Sequence, residues 1–220
     1  MSESSSESAL AAARRAFRQG EPVLIHDFDD REAETDLVYP ASAVDADAVA
    51  RLRNDGGGLI FVALSDAVAR RFDLPYLHET IEHPATDHDD LPYDAHPSFS
   101  LTVNHRDTYT GITDEDRAMT IRALGDAAAA PAETDFAATF RSPGHVHVLR
   151  AAPNLLVDRQ GHTELGLALA AAADQPPAVA GCEMLDDDSG GALSAADARA
   201  YAERTGTPFV DGDALLTALR

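Results

Sequence analysis

Two short apolar runs near the start of the chain lie too close together for a helix to connect them as parallel strands. Residues 22–26 (PVLIH) and residues 36–39 (DLVY) each have the length and composition of a buried strand, and an acid-rich segment separates them. Two neighbouring parallel strands need a crossover connection of a dozen or more residues, so these two strands are expected to pair antiparallel and the sheet to be mixed. Further strands are predicted at 59–64, 100–104, 146–150, 154–157, 179–184 and 209–210.

Helical segments alternate with these strands along the chain. Thr113 and Ser194 are expected to cap two helices that Gly125 and Gly206 end, and Thr163 is expected to cap another. The predicted helical segments are 8–18, 42–53, 113–124, 163–173, 194–205 and 213–219. The pattern predicts an α+β fold, a single three-layer α/β/α domain with a mixed β-sheet.

One domain accounts for the length of 220 residues, since no repeat and no Pro- or Ser-rich linker divides the chain. The polar residues 1–7 are predicted to form a flexible N-terminus, and residues 8–220 the single domain. Residues 73–97 are rich in Pro, His and Asp and have no clear period, so they predict a long loop or a mobile lid.

The charge of the chain excludes several kinds of function. There are 38 acidic residues against 17 basic ones, all of them Arg, and the net charge is -21. We therefore expect no nucleic-acid or anionic-membrane partner, because the phosphate groups would be repelled. The absence of Lys excludes a Schiff-base lysine and a P-loop lysine. The acid excess is spread along the chain, which predicts a halophilic protein adapted to high cytosolic salt.

The single cysteine, Cys182, excludes a disulfide framework and a Cys-rich zinc site. Its apolar surroundings favour a small core residue over a nucleophile. No apolar run approaches the about 18 residues of a membrane-spanning helix, and no cationic segment precedes an apolar stretch at the N-terminus. We therefore expect a soluble, cytoplasmic protein.

The first candidate site is the acidic segment 27–36 (DFDDREAETD), which holds six carboxylates in ten residues directly after a strand. Carboxylate oxygens are ligands for a hard cation, and Arg31 among them could orient a phosphate. In a chain with 38 acidic residues a solvated surface loop explains the same pattern.

A second candidate lies at residues 159–164 (RQGHTE), between a predicted strand and a helix. Free N–H groups at a helix start receive phosphate, and Arg159 and His162 add a fork-shaped donor and a metal ligand or proton carrier. An ordinary capped turn explains the segment equally well. Elsewhere, His145 and His147 on a strand each fit a structural role better than a catalytic one when taken alone, whereas Glu183 at the end of an apolar strand suits a general acid or base.

Six motifs follow one another along the chain: DFDDREAETD, RNDGGGLIFVAL, HRDTYTGITDEDRAMTIRAL, RSPGHVHVLRA, DRQGHTELGLALA and GCEMLDDD. In this order and spacing the sequence resembles the 3,4-dihydroxy-2-butanone 4-phosphate synthases of riboflavin biosynthesis, from about residue 21 to residue 219. The resemblance implies a lyase that converts D-ribulose 5-phosphate to L-3,4-dihydroxybutan-2-one 4-phosphate and formate. It also implies Mg²⁺ or Mn²⁺, two ions per site, with no organic cofactor, and a homodimer with active sites at the subunit interface.

The resemblance also assigns roles to particular residues. It implies that Glu32 and His162 bind metal and that His145 and Glu183 form the catalytic acid/base pair. The substrate-binding residues that it implies are Arg31, Glu32, Asp36, Arg159, Gln160, Gly161, His162, Thr163 and Glu183.

Two residues depart from the family pattern: Thr35 stands where many members have Gly, and Phe61 or a neighbour stands where many have Cys. Thr35 lacks the freedom of Gly to adopt a positive φ, so the acidic loop is expected to bend differently. Two alternatives remain, namely another metal-dependent sugar-phosphate enzyme (an isomerase or an aldolase) and a ligand-binding or assembly domain whose acidic residues only solvate its surface. Neither accounts for the ordered motifs.

Overall fold

The computed structural model describes residues 3–28, 33–87, 91 and 94–219, with side chains described from residue 7 onward. Within these ranges the strands are β1 (Val23–His26), β2 (Thr35–Pro40), β3 (Phe61–Leu64), β4 (Phe99–His105), β5 (Phe140–Arg150), β6 (Ala178–Glu183) and β7 (Phe209–Asp211). The α-helices are α1 (Glu3–Arg18), α2 (Ala46–Arg51), α3 (Asp66–Arg71), α4 (Asp114–Ala129), α5 (Phe136–Thr139), α6 (His162–Ala172), α7 (Ala195–Thr205) and α8 (Gly212–Leu219).

The strands form one seven-stranded sheet in the order β4-β5-β3-β6-β2-β1-β7. β1 and β2 pair antiparallel, as their short separation requires. β3 is parallel to β5 and β1 is parallel to β7, whereas the other neighbouring pairs are antiparallel. The predicted mixed sheet is confirmed. Within the described ranges no helix has the length and apolar character that a membrane crossing requires.

Helices cover both faces of the sheet, and each face buries its own apolar cluster. α2, α4 and α7 pack on one face, where Ile121 and Val148 are fully buried. α1, α6 and α8 pack on the other, where Phe17 and Leu165 are fully buried. We call these the α4 face and the α6 face. Two helical layers around one sheet are the predicted three-layer arrangement, and each large apolar side chain buried there contributes about 1.5–3 kcal/mol.

Alternation along the strands decides which side chains reach the α6 face. Leu37 and Cys182 belong to the α4-face cluster, so their neighbours Asp36 and Glu183 lie on the α6 face. The same alternation puts His147, which stands between two valines of the α4-face cluster, on the α6 face. Polar side chains on this face therefore come from strands that are distant in the sequence.

Several predicted helix boundaries differ from the structure, and the helix predicted at 42–53 is α2, which begins only at Ala46. Helix α1 begins at Glu3, inside the segment expected to be flexible, rather than at residue 8. Helix α4 continues past Gly125 to Ala129, so the prediction that this glycine ends the helix is wrong. A Cβ on Gly125 would lie 2.4 Å from the backbone nitrogen of Ser42, so the glycine permits close helix packing instead of stopping the helix.

Two further local predictions are wrong. Residues 154–157 do not form a strand, because Leu155–Val157 is a single 3-10 turn and the Val157 side chain is exposed. Thr163 does not cap helix α6. The cap is Gly161, which offers no side chain, and Thr163 is a fully buried residue of the first turn.

Candidate active site

Polar side chains from three elements meet on the α6 face at the N-terminal end of helix α6. Asp36 on β2 is the cross-strand partner of Glu183 on β6, and Asp36 Oδ2 lies 3.8 Å from Nδ1 of His162 on α6. The His162 ring lies 5.4 Å from the ring of Phe61, whose neighbour on β5 is His147. These residues are brought together by sheet register and not by sequence proximity.

The two carboxylates of this cluster differ in their surroundings. Asp36 is only 1% exposed, whereas Glu183 is half-buried at the end of its strand. Directly opposed like charges on a sheet repel each other, and a cation or a shared proton relieves that repulsion. The pair is therefore suited to hold a positively charged group or to exchange protons.

The Gly-rich turn at residues 54–58 holds the Glu183 carboxylate. The backbone N–H of Leu59 donates to Glu183 Oε2 at 2.7 Å, and the N–H of Gly58 donates to the Glu183 carbonyl oxygen at 3.0 Å. A Cβ on Gly58 would lie 2.6 Å from Glu183 Oε2, so a side chain there would displace the carboxylate. The sequence indicated only a helix break at this turn, and its contact with Glu183 was missed.

The start of helix α6 has the features of an anion site. Gly161 is buried and His162 is half-buried, so the backbone comes close to the cluster without an intervening side chain. Thr163 is fully buried, and its Oγ1 has no hydrogen-bond partner among the described residues. A buried hydroxyl beside free helix N–H groups is a donor for a phosphate oxygen. Gln160 is half-buried directly before this turn.

Arg159 is held between two carboxylates. Its Nη1 donates to Oε2 of the fully buried Glu164 at 2.9 Å, and its Nε donates to Asp94, which belongs to the predicted lid segment. Glu164 in turn accepts from the backbone N–H of Ala152 at 2.9 Å. Arg159 is thus fixed in place rather than extended towards solvent, with two of its five N–H donors used by these bonds.

His145 and His147 occupy different environments on β5. Asn104 of β4 binds His145 through two hydrogen bonds, one to the ring and one to the backbone. His147 is half-buried, and burial lowers its pKa against the opposing effect of the Glu183 charge. Asn104 was missed by the sequence analysis, because residues 100–104 gave only a strand signal.

Phe61 stands at or near the position where many family members have Cys, and the one cysteine of this chain, Cys182, lies elsewhere. The Phe61 ring covers Gly181, since a Cβ at that glycine would lie 2.6 Å from the end of the ring. Phe61 therefore gives the His162 ring an apolar wall. Cys182 lies on the α4 face, fully buried, and burial raises its pKa to about 12, so no thiolate is available for chemistry.

Arg31 and Glu32, predicted to bind substrate and metal, lie outside the described residues. Their described flanks are joined by a hydrogen bond from the N–H of Ala33 to the carbonyl oxygen of Phe28. Thr35 begins strand β2, where no positive φ is needed, so its substitution for Gly imposes no strain there. Among the described residues, no group of three His, Cys, Asp or Glu side chains could hold a metal ion.

The sequence model of the 3,4-dihydroxy-2-butanone 4-phosphate synthase family matches residues 11–218. The chain belongs to this family. The synthase of Archaeoglobus fulgidus is 51% identical over 210 residues, which cover 90% of this chain and 88% of that protein. The Saccharomyces cerevisiae synthase is 32% identical, covering 93% of this chain and 94% of that protein.

Solved synthase structures share the fold. A synthase in complex with two magnesium ions superposes with a TM-score of 0.80 at 28% identity, covering 94% of each chain. The Candida albicans synthase superposes with a TM-score of 0.79 at 28% identity, covering 96% of this chain and 97% of that one. The predictions of the family, of an α+β fold and of an enzyme are confirmed.

Proposed function

We propose that this protein is the lyase that converts D-ribulose 5-phosphate to L-3,4-dihydroxybutan-2-one 4-phosphate and formate in riboflavin biosynthesis. The observation that carries the proposal is the cluster of Asp36, Glu183 and His162 at the start of helix α6. It combines carboxylates, an imidazole and an anion-binding helix terminus within one site, which is what a phosphorylated ketose and a proton-transfer reaction require.

We propose that Glu32 and His162 hold Mg²⁺ or Mn²⁺, two ions per site, and that no organic cofactor takes part. The chemistry of the donors fits, because His162 Nδ1 lies 3.8 Å from the buried Asp36 carboxylate, and carboxylate oxygen with imidazole nitrogen suits these divalent ions. A bound divalent ion would withdraw electron density from the ketose oxygens and so acidify the neighbouring C–H bond.

The sugar phosphate is proposed to bind at the start of helix α6. Gly161 and Thr163 offer backbone N–H groups and the buried Thr163 hydroxyl, while Gln160 and His162 line the same turn. Arg159 keeps its bonds to Glu164 and Asp94 and presents its remaining N–H donors. Arg31 and Asp36 are proposed to contact the sugar phosphate as well, and Glu32 and Glu183 to complete the substrate site.

Proton transfer is proposed to rest on His145 and Glu183. The Glu183 carboxylate is fixed by the Leu59 N–H at 2.7 Å and lies next to a second carboxylate, which suits it to accept a proton from carbon. His145 is fixed by Asn104 and presents a ring nitrogen that can serve a substrate oxygen. Dehydration, rearrangement and formate loss all require such groups in fixed positions.

The assembly and the setting are proposed from the family and from composition. We propose a homodimer with active sites at the interface, formed by the single domain of residues 8–220, with a small-molecule sugar phosphate as ligand and no nucleic acid or membrane as partner. We propose a cytoplasmic, halophilic protein, supported by 38 acidic residues and no Lys.

Direct product analysis tests the proposed reaction. Purified protein incubated with ribulose 5-phosphate and Mg²⁺ in molar KCl is expected to release formate, observed by NMR. A Glu183→Gln variant is expected to release almost none, while Glu203→Gln, an exposed glutamate on α7, serves as the control. An isomerised sugar phosphate without formate would assign an isomerase instead, and no reaction with either metal would contradict the proposal.

A further inference from the structure

The amide of Asn104 is buried at the edge of the sheet and is packed between His145 and the loop at Gly111. Asn104 is 4% exposed, on the edge strand β4. Its side chain contacts the His145 ring and backbone on one side and Gly111 on the other. A buried amide in such a position has one favourable orientation if every hydrogen bond is to be satisfied.

The two bonds to His145 determine that orientation. The backbone N–H of His145 can only donate, so the Asn104 atom that receives it at 2.8 Å is the carbonyl oxygen Oδ1. The other amide atom is then Nδ2, which lies 3.1 Å from Nδ1 of the His145 ring. An amide nitrogen also only donates, so Nδ1 must carry the lone pair. The hydrogen of the neutral imidazole is therefore on Nε2.

A separate loop prevents the amide from rotating. Gly111 has a φ of +88°, and a Cβ there would lie 2.1 Å from Nδ2 of Asn104, so the loop backbone packs directly against the amide. The Asp116 carboxylate holds this loop by accepting from three backbone N–H groups, those of Tyr109, Thr110 and Gly111, at 2.8–3.3 Å. The loop fixes Asn104, and Asn104 fixes His145.

We infer that Asn104 is a positioning residue that selects, for the neutral His145 ring, the tautomer with its hydrogen on Nε2, so that His145 acts as a hydrogen-bond donor. The inference rests on the proposed function for its catalytic meaning. A hydrogen on Nδ1 would face the N–H of the Asn104 amide at 3.1 Å, so the tautomer with its hydrogen on Nδ1 would lose this hydrogen bond. His145 then presents its Nε2 hydrogen to a substrate oxygen, as the acid partner of the pair, and removal of a proton from carbon falls to Glu183.

The substitution Asn104→Asp tests the inference because it keeps the shape and replaces the donor by an acceptor. One carboxylate oxygen still accepts from the His145 backbone N–H, and the other now requires a hydrogen on Nδ1. We expect the tautomer to reverse and kcat to fall by about 10²-fold, as for loss of an oriented donor, with KM changed little. Gln19→Glu, an exposed position, is the control for one added negative charge.

The tautomer is read without substrate by ¹⁵N NMR of histidine-labelled protein, with the His145 signals assigned by their loss in His145→Gln. In the wild type, Nδ1 of His145 is expected at the lone-pair position and Nε2 at the protonated position, and in Asn104→Asp the two are exchanged. A protonated Nδ1 in the wild type overturns the inference even if the variant does not fold. If the tautomer reverses in Asn104→Asp and kcat is unchanged, the inference that the tautomer of His145 matters for catalysis is overturned. Absence of formate with the expected tautomer contradicts the proposed reaction and not the tautomer.

Discussion

Asp36 on β2 and Glu183 on β6 are direct cross-strand partners, and both carboxylates lie on the α6 face of the sheet. The Cβ atoms of such partners are about 4.5–5.5 Å apart, so the two negative charges repel each other across the pair. The Leu59 N–H nevertheless fixes Glu183 in this position at 2.7 Å. A site that maintains two opposed carboxylates sacrifices stability for function.

Glu183→Gln is therefore expected to separate activity from stability. Gln keeps the acceptor for the Leu59 N–H but removes the charge opposite Asp36, so Tm should be unchanged or higher. Turnover should fall by about 10²–10⁴-fold, the usual effect of deleting a general acid or base, while metal and substrate bind almost normally. Single-turnover assays and differential scanning calorimetry measure the two effects. A variant with wild-type turnover would remove Glu183 from the chemistry.

Unlike Glu183→Gln, the variants Glu32→Gln and His162→Ala are expected to lose activity because they bind the metal more weakly. Each removes a proposed ligand, so Mg²⁺ titrated by calorimetry should bind more weakly, and added Mg²⁺ should recover part of the rate. Because a ligand at about 100 times its Kd adds about 2.7 kcal/mol of stability, the Mg²⁺-induced rise in Tm should also shrink in both variants. If Glu183→Gln loses metal affinity and these two keep it, the assigned roles are reversed.

The sheet was predictable where local spacing left few choices. The short gap between residues 26 and 35 required an antiparallel β1–β2 hairpin, and the capping residue Ser194 with Gly206 gave both ends of α7. The prediction of a strand at 154–157 was wrong because three consecutive apolar residues fit a strand and a 3-10 turn equally well.

The site was less predictable because its contacts are remote in sequence. The Gly-rich turn acts on a carboxylate 124 residues away, and Asn104 meets His145 only through an irregularity in the β4–β5 pairing. Strand propensity carries no information about register, so the motifs gave His145 and Glu183 as candidates, while Asn104 and Leu59, which hydrogen-bond to them, went unrecognised.

Arg159→Lys is expected to raise KM for ribulose 5-phosphate with little change in kcat. A single ammonium cannot keep both carboxylate bonds, at Glu164 and Asp94, and also present a further donor to phosphate. Losing one charged hydrogen bond of about 1.5–3 kcal/mol corresponds to a KM about 10- to 100-fold higher. Steady-state kinetics measure the change, with the exposed Arg122→Lys as control. A wild-type KM would assign the phosphate to other residues.

His147 is expected to make the folded state sensitive to acid. Burial lowers its pKa in the folded protein, although the Glu183 charge opposes the shift. Below the unfolded pKa of about 6.5 the unfolded chain therefore binds this proton more readily, and stability decreases as pH falls. The His147→Phe variant keeps the ring and should lose less Tm than the wild type between pH 7.5 and pH 5. Parallel Tm curves for the two proteins would contradict the assignment.

Added salt is expected to stabilise the protein up to molar concentrations, well above the salt concentration of an ordinary buffer. A net charge of -21 on 220 residues opposes the compact state, and the Debye length falls from about 10 Å at 0.1 M salt to about 3 Å at 1 M. Tm should therefore rise with KCl up to molar concentrations, and light scattering should show the proposed dimer dissociating at low salt. Because sucrose stabilises folded proteins without screening charge, it serves as the control and should not restore the dimer. A Tm that is the same at about 0.1 M and at several molar KCl would show that repulsion between surface acids does not limit this fold.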